Sequence, residues 1–332
     1  MGRRFVNQLG DAESVEEVYL VTDKQLRANK NGNPYVQIEL RDRTGSIVGR
    51  MWNAGENVFR TFETGDFLLI KGKVQLFQGS MQVILTHVET MEPEKVDLTE
   101  FLPHTHQDVG KLLERLRGFL LKVGNPHLRA LGEVYLMDGD FTRGLCQAPA
   151  GVRVHHAYIG GLLEHLVCMM DVAERIVPLY PEVDRDLLIV GIFLHDSGKI
   201  RELSYARAFG YTDEGQLIGH LSIGIEMLQE KVLQVPDLTG DPFPRELLLR
   251  LKHMILSHHG TLEFGSPKVP MTPEAVALHA IDTLDTRIHI CQREIKEDRG
   301  PGAWTQYNQA LGRRLYKGGP GDGSDADGDA GY

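Results

Sequence analysis

At 332 residues the chain has room for two ordinary domains, and 42% apolar with 25% charged residues exclude a disordered or fibrous protein. The formal net charge of −10 excludes a protein that coats nucleic acid by charge alone. The longest apolar runs, such as 187–194, fall far short of the roughly 20 residues a membrane span needs, and residues 1–10 hold no apolar signal core. Cys146, Cys168 and Cys291 lie far apart, so the expectation is a cytoplasmic protein without disulfides or a cysteine zinc site.

In chain order, strands are expected at 17–23, 34–40, 46–52, 66–76 and 81–89, from strict alternation and the Gly- and Asn-containing turns between them. Five strands in about 70 residues, with a short helix near 56–61 between the third and fourth, match an OB-fold barrel. Such barrels bind single strands with stacked aromatics and flanking bases. Tyr35, Trp52 and Phe77 are the candidate stackers, with Lys24, Arg41, Lys71 and Lys73 near them. Residues 20–83 carry nine basic and six acidic side chains, so a local patch can still meet phosphate. Trp52 and Phe77 would serve equally well in the barrel core, whereas Tyr35 shares its face with Gln37 and Glu39 and is expected to point outward. OB folds also dock proteins.

The fold class is therefore a multidomain one, β followed by all-α. Residues 1–92 form the barrel domain, 93–104 with Pro93 and Pro103 a linker, 105–317 a helical domain, and 318–332 a disordered acidic tail. Helical periodicity begins at Gln107 and continues at 126–137, 156–177, 184–202, 219–234, 244–259, 273–298 and 303–315, with prolines between several of them.

The helical half holds His165, His195-Asp196, His220, His258-His259 and Asp282, each on or at the end of a predicted helix. A buried imidazole or carboxylate at the end of an apolar helix is costly without a partner. A divalent Mn, Fe, Co, Ni or Zn ion supplies one. Singly each histidine is ordinary, and His87, His104, His106, His127, His253, His279 and His289 are taken as such. What points to a metal is the ordered set H, HD, H, HH, D over five helices, with Gly198-Lys199 close behind the doublet.

The segments 155–165 (HHAYIGGLLEH), 194–199 (LHDSGK), 219–220 (GH), 257–260 (SHHG) and 281–285 (IDTLD) together resemble the YhaM-type 3′→5′ exoribonucleases. That family joins an N-terminal OB fold to an HD-superfamily domain, and the resemblance covers about residues 15–317. It implies His165, His195, Asp196, His220, His258 and Asp282 as ligands of one or two divalent ions, manganese foremost, with His259 replacing or joining His258. It implies Lys199 as a cation at the scissile phosphate, and Asp196 as ligand or general base. It further implies hydrolysis of single-stranded RNA, and of DNA, to nucleoside 5′-monophosphates by a homo-oligomer, a hexamer in the family. His155 and His156 precede His165 by nearly three helical turns, roughly 14 Å, and cannot share its metal unless the helix breaks. One of them, with Tyr158, is expected to contact substrate or else to begin the helix. Asp285 is expected to pack or to support a ligand. Thr286-Arg287 departs from the family's usual Ala and lysine-like pair but keeps a basic group. Two other readings stand beside this one: an HD-type nucleotide phosphohydrolase or cyclic-dinucleotide phosphodiesterase, and a non-catalytic single-strand-binding module.

Overall fold

Strands β1 (Ser14–Ala28), β2 (Pro34–Asp42), β3 (Gly45–Trp52), β4 (Phe67–Phe77) and β5 (Ser80–Met91) close into a barrel in the order β1-β2-β3-β5-β4, with the short helix α1 (Glu56–Phe59) between β3 and β4. The computed structural model describes residues 3–77, 80–97, 100–152, 156–205, 209–298, 302–308 and 311–318. Neighbouring strands run antiparallel except β3 and β5, whose parallel pairing closes the barrel. Strand β1 outruns its expected length because it serves two partners. Its first half pairs with β4 and its second with β2, with a register shift between Val21 and Asp23 where the partner changes. Alternate residues such as Val36, Ile38, Leu40, Val74 and Val83 fill the barrel, which is the period-2 pattern read from the sequence.

The end of the stretch expected to be a linker is packed. Phe101 and Leu102 are buried with Leu20 and Phe67 under one end of the barrel, and the Phe67 and Phe101 rings lie 4.7 Å apart. Beyond them the Pro103 carbonyl accepts from Ile159 N at 2.8 Å and Thr105 N donates to the Ile159 carbonyl at 2.9 Å. Residues 100–105 thus form a strap from the barrel to the helical domain. Prolines and polar neighbours hid two apolar anchors.

The helical domain comprises α2 (Val109–Leu121), α3 (Pro126–Met137), α4 (Gly139–Gln147), α5 (Gly161–Ile176), α6 (Arg185–His195), α7 (Lys199–Glu202), a two-stranded hairpin β6 (Leu203–Ser204) and β7 (Gly210–Tyr211), α8 (Asp213–Val232), α9 (Pro236–Thr239), α10 (Arg245–Ser257) and α11 (Pro273–Glu297). Helix α6 is apolar on all sides, and every residue from Leu187 to His195 is buried. Such a helix belongs at the centre of a bundle, and α5, α10 and α11 pack around it. Asp184, Thr212 and Thr272 cap α6, α8 and α11 through their side chains.

Four expectations about helices are corrected. The helix expected from 156 begins at Gly161, and the one expected over 184–202 breaks after His195. Helix α8 begins at Asp213, ahead of the expected 219, with a kink at Gly219. No helix forms at 303–315 among the described residues. There Trp304 pairs with Tyr316 and Asn308 with Arg313 in antiparallel bridges, the Trp304 and Tyr316 rings 5.1 Å apart. Bulky residues at 304, 307, 311 and 315 imitate helical spacing, but aromatic residues suit extended pairing at least as well. Residues 319–332, expected to be a disordered tail, lie outside the described residues.

Candidate metal centre and nucleic-acid interface

Sequence-distant helices bring their chemistry to one point because α6 ends there. His195 is the last residue of α6 and Asp196 follows as its cap, both fully buried. His165 comes from the first half of α5 and Asp282 from the middle of α11, while His258 and His259 follow the end of α10. His220 arrives from α8 through the kink. Gly219 has φ +71°, a conformation that suits glycine, and the bend lets Glu202 Oε1 meet both His220 N and His220 Nδ1 at 3.0 Å.

Asp196 stands between two sets of donors. Its Oδ2 lies 3.4 Å from His195 Nε2 and 4.0 Å from His165 Nε2, and the latter is 3.4 Å from Asp282 Oδ1. Its Oδ1 lies 3.6 Å from both His220 Nε2 and His258 Nε2. His220, His258 and His259 bring ligand nitrogens within 4.8 Å of one another, so both histidines of the doublet reach the second set.

The far nitrogens explain why the near ones converge. His195 Nδ1 donates to the Ile192 carbonyl and His258 Nδ1 to the Ile255 carbonyl, each at 2.8 Å, while His165 Nδ1 meets Asp285 Oδ2 at 2.7 Å. With Glu202 on His220, four imidazoles have one nitrogen anchored and Nε2 aimed at the centre, the arrangement that orients metal ligands. His195 Nε2, His220 Nε2 and Asp196 Oδ1 are buried without a hydrogen-bond partner among the described residues. Leaving such atoms unsatisfied costs about 1–3 kcal/mol each, and their convergence suits a divalent cation. Ligands of one cation at about 2.1 Å stand roughly 3.0–3.4 Å apart, so the 3.4 Å pairs are already at ligand spacing. The residues fit the group.

The electrostatics agree except at His165. There burial would lower the imidazole, but Asp282 and Asp285 hold it up at about 9, so that a cation on Nε2 must displace a proton. Burial alone would raise the Asp196 carboxyl, but Lys199, His195 and His258 outweigh it and hold it well below the usual carboxylate range. Asp282 is lowered in the same way, burial being overcome chiefly by His165. Burial pushes His258 down to about 3, leaving a neutral imidazole. Lys199 is buried, with Nζ 2.7 Å from both Asp196 Oδ2 and the Ala150 carbonyl, and Asp196 raises its pKa against the opposing effect of burial. Glu202 had escaped the sequence reading. Its only signal was an acidic residue three positions after Lys199, with no pattern linking it to His220.

The pair HHAY…GG also acquires a physical meaning. Gly160 has φ +78°, and a Cβ on Gly161 would sit 2.1 Å from the His156 carbonyl oxygen. The two glycines let the chain fold back, so that the His156 ring stands 5.4 Å from the His165 ring. His156 is buried, its Nδ1 2.8 Å from the Tyr158 hydroxyl and its Nε2 3.0 Å from Asp285 Oδ2. His155 lies outside the described residues.

On the barrel, Tyr35 and Trp52 are paired across β2 and β3 with ring centroids 4.8 Å apart, and Trp52 and Phe77 are exposed at 44% and 46%. Neither is in the core. Arg50, which the sequence marks only as one basic residue among nine, lies on the same outer face: its guanidinium reaches Gln37 and Gln82 and lies 6.0 Å from the Phe77 ring. Lys73 is exposed on β4, the strand that carries Phe77, whereas exposed Lys71 is paired with Glu16 at 2.7 Å. Lys24 is engaged within the barrel domain. Its Nζ is largely buried against the Phe59 and Phe62 carbonyls and Glu63.

Residues 20–91 match the OB-fold nucleic acid binding domain and residues 162–287 match the HD domain. Fold and site therefore define an OB-fold barrel joined to a helical HD domain. Over 305 residues the chain is 31% identical to the 3′-5′ exoribonuclease YhaM of Bacillus subtilis and 33% identical to the protein of that name from Bacillus pumilus, covering 92% of this chain and 94% of each relative. The chain belongs to the YhaM family of 3′-5′ exoribonucleases.

Proposed function

We propose that this protein is a metal-dependent 3′→5′ exoribonuclease of single-stranded RNA, with DNA as a second substrate, that works in the cytoplasm. No helix among the described residues is long and apolar enough to cross a membrane. The observation that carries the reading is Asp196, with one oxygen turned to each of two imidazole sets whose buried donor atoms want a cation. His165, His195, Asp196 and Asp282 would hold one divalent ion, manganese by preference, and Asp196, His220, His258 and His259 a second. Such ions supply Lewis acidity at a phosphoryl oxygen and make water acidic near neutral pH.

The chain's own groups do the rest. Tyr35, Trp52 and Phe77 stack bases, while Arg50, Lys73 and, less strongly, Lys71 meet the backbone between them. Lys199 fixes Asp196 and adds positive charge where the scissile phosphate approaches. A water oxygen forms the new bond to phosphorus as the bond to the penultimate 3′-oxygen breaks, which releases a nucleoside 5′-monophosphate.

The test is a 5′-labelled single-stranded RNA incubated with the protein and Mn²⁺, beside a His195→Ala/Asp196→Ala double variant. A ladder shortening from the 3′ end, absent in the variant and in EDTA, is expected. RNA that stays intact across several metals would overturn the reading.

A further inference from the structure

Resting on the metal-dependent reading, we propose that His156 is a positioning residue, clamped by Tyr158, that holds the Asp285 carboxylate and through it the ligand tautomer of His165. The sequence reading had placed His156 and Tyr158 against substrate. Both ring nitrogens of His156 are already engaged inside the protein, with Tyr158 and Asp285.

The hydrogen positions follow from the donor inventory. Asp285 Oδ2 receives His165 Nδ1 at 2.7 Å and His156 Nε2 at 3.0 Å. A carboxylate only accepts, so both nitrogens carry hydrogen at these contacts. A His165 that has given up its Nε2 proton to a cation keeps hydrogen on Nδ1 and has its lone pair on Nε2, the atom that faces Asp282 and Asp196. A neutral His156 with hydrogen on Nε2 accepts at Nδ1 from the Tyr158 hydroxyl, 2.8 Å away. Donation thus runs from Tyr158 to His156 to Asp285 and meets the donation from His165 at the same carboxylate oxygen.

Geometry explains why a single donor would not suffice. The terminal torsion of an aspartate is broad. Apart from His156, the carboxylate is held among the described residues only by His165 and by the Cys168 thiol, a weak donor that would let it turn with the His165 ring instead of fixing it. His156 holds the same oxygen from a separate backbone segment. Its own ring is restrained by His289, stacked at 4.0 Å and 28°. The loop behind it is pinned by the Gly161 contact on one side and by the Pro103 and Thr105 hydrogen bonds to Ile159 on the other. The atoms of His156, His165 and Asp285 are close enough to suggest a third cation site, but the shared Asp285 oxygen is already in direct hydrogen-bond contact with both imidazoles.

The experiment titrates metal-free, full-length protein with Co²⁺, following visible absorption and bound-metal stoichiometry. His156→Phe keeps ring volume and stacking but loses both hydrogen bonds. It should weaken cobalt binding at one site by roughly 10- to 100-fold and alter the ligand-field bands. His156→Gln, whose amide can donate to Asp285, should recover most of both, and Tyr158→Phe should fall between. Unchanged affinity and spectrum in His156→Phe would overturn the proposal, as would a third cobalt equivalent in the parent protein lost with His156. Should His156→Phe fail to fold, Tyr158→Phe decides: a parental spectrum and affinity in it overturns the clamp. Failure of the underlying reading looks different, because the parent protein would then bind no cobalt, or bind it equally well after His195→Ala.

Discussion

The barrel and the helical domain offer their functional groups in opposite ways. On the barrel, Tyr35, Arg50, Trp52, Lys73 and Phe77 stand on the outside of β2, β3 and β4, with Trp52, Lys73 and Phe77 exposed and Tyr35 and Arg50 partly so. Each side chain needs only its own strand's pleat to face outward. In the helical domain, His165, His195, Asp196 and His258 are buried, and each comes from a different turn of the chain except the adjacent pair. A surface that recognises a flexible strand tolerates small errors in side-chain position. A centre that must hold ions does not, and it is surrounded by Asp285, Glu202 and helix carbonyls that fix each ring. The first region should therefore fail gradually when altered, the second abruptly.

The largest expected effect follows from Asp196, the one group shared by both donor sets. Asp196→Asn should lower kcat by about three orders of magnitude or more, equivalent to roughly 4 kcal/mol, while leaving RNA affinity in a filter-binding assay within about twofold by the same scale. A comparable loss of RNA affinity would mean that the metal centre, not the barrel, holds the strand, and would erase the contrast. Next comes the strap that joins the two regions. Phe101 is fully buried beside Phe67, and Phe101→Ala should cost about 3 kcal/mol of stability, measured by chemical denaturation. If the two regions are coupled through residues 100–105, barrel and helical signals should lose stability together. Separate transitions would show them to be independent.

How far each region was legible in the sequence follows from the same contrast. The five strands, the small helix and the outward Tyr35 were readable because a strand's alternation records which side faces the core, whereas Trp52 and Phe77, near strand ends, left both core and surface open. The metal-binding residue types were readable from their order along the chain and from the resemblance. Their supports were less so. Glu202 acts on His220 only because Gly219 bends α8, and His156 reaches Asp285 only because Gly160 and Gly161 let the loop fold back. Those are consequences of packing between distant segments, and helical periodicity instead suggested one unbroken helix from 156. The strap was missed for a related reason, since two buried residues among polar ones make no period.

The smaller effects belong to the barrel. Trp52→Ala removes one stacking ring and should weaken binding of long RNA by about 1–3 kcal/mol, a roughly 5- to 150-fold rise in KM, with kcat on a dinucleotide unchanged. A fall in dinucleotide kcat would sink the assignment of Trp52 to strand capture. The finest test separates two lysines that composition alone treats as equal. Lys73 has no ion-pair partner among the described residues, whereas Lys71 is paired with Glu16 at 2.7 Å and half exposed. Exposed pairs contribute only about 0–1 kcal/mol, so Lys71 loses little by leaving Glu16, but part of its charge is already answered there. Lys73→Ala should reduce the salt slope of single-strand binding by about 0.7, the value for one phosphate contact. Lys71→Ala should reduce it by less, and removing Glu16 by Glu16→Gln should steepen the slope by freeing Lys71. Equal slopes for both lysine variants would show that the ion pair opens whenever RNA arrives, and that the outer face of β4 meets the backbone through both charges.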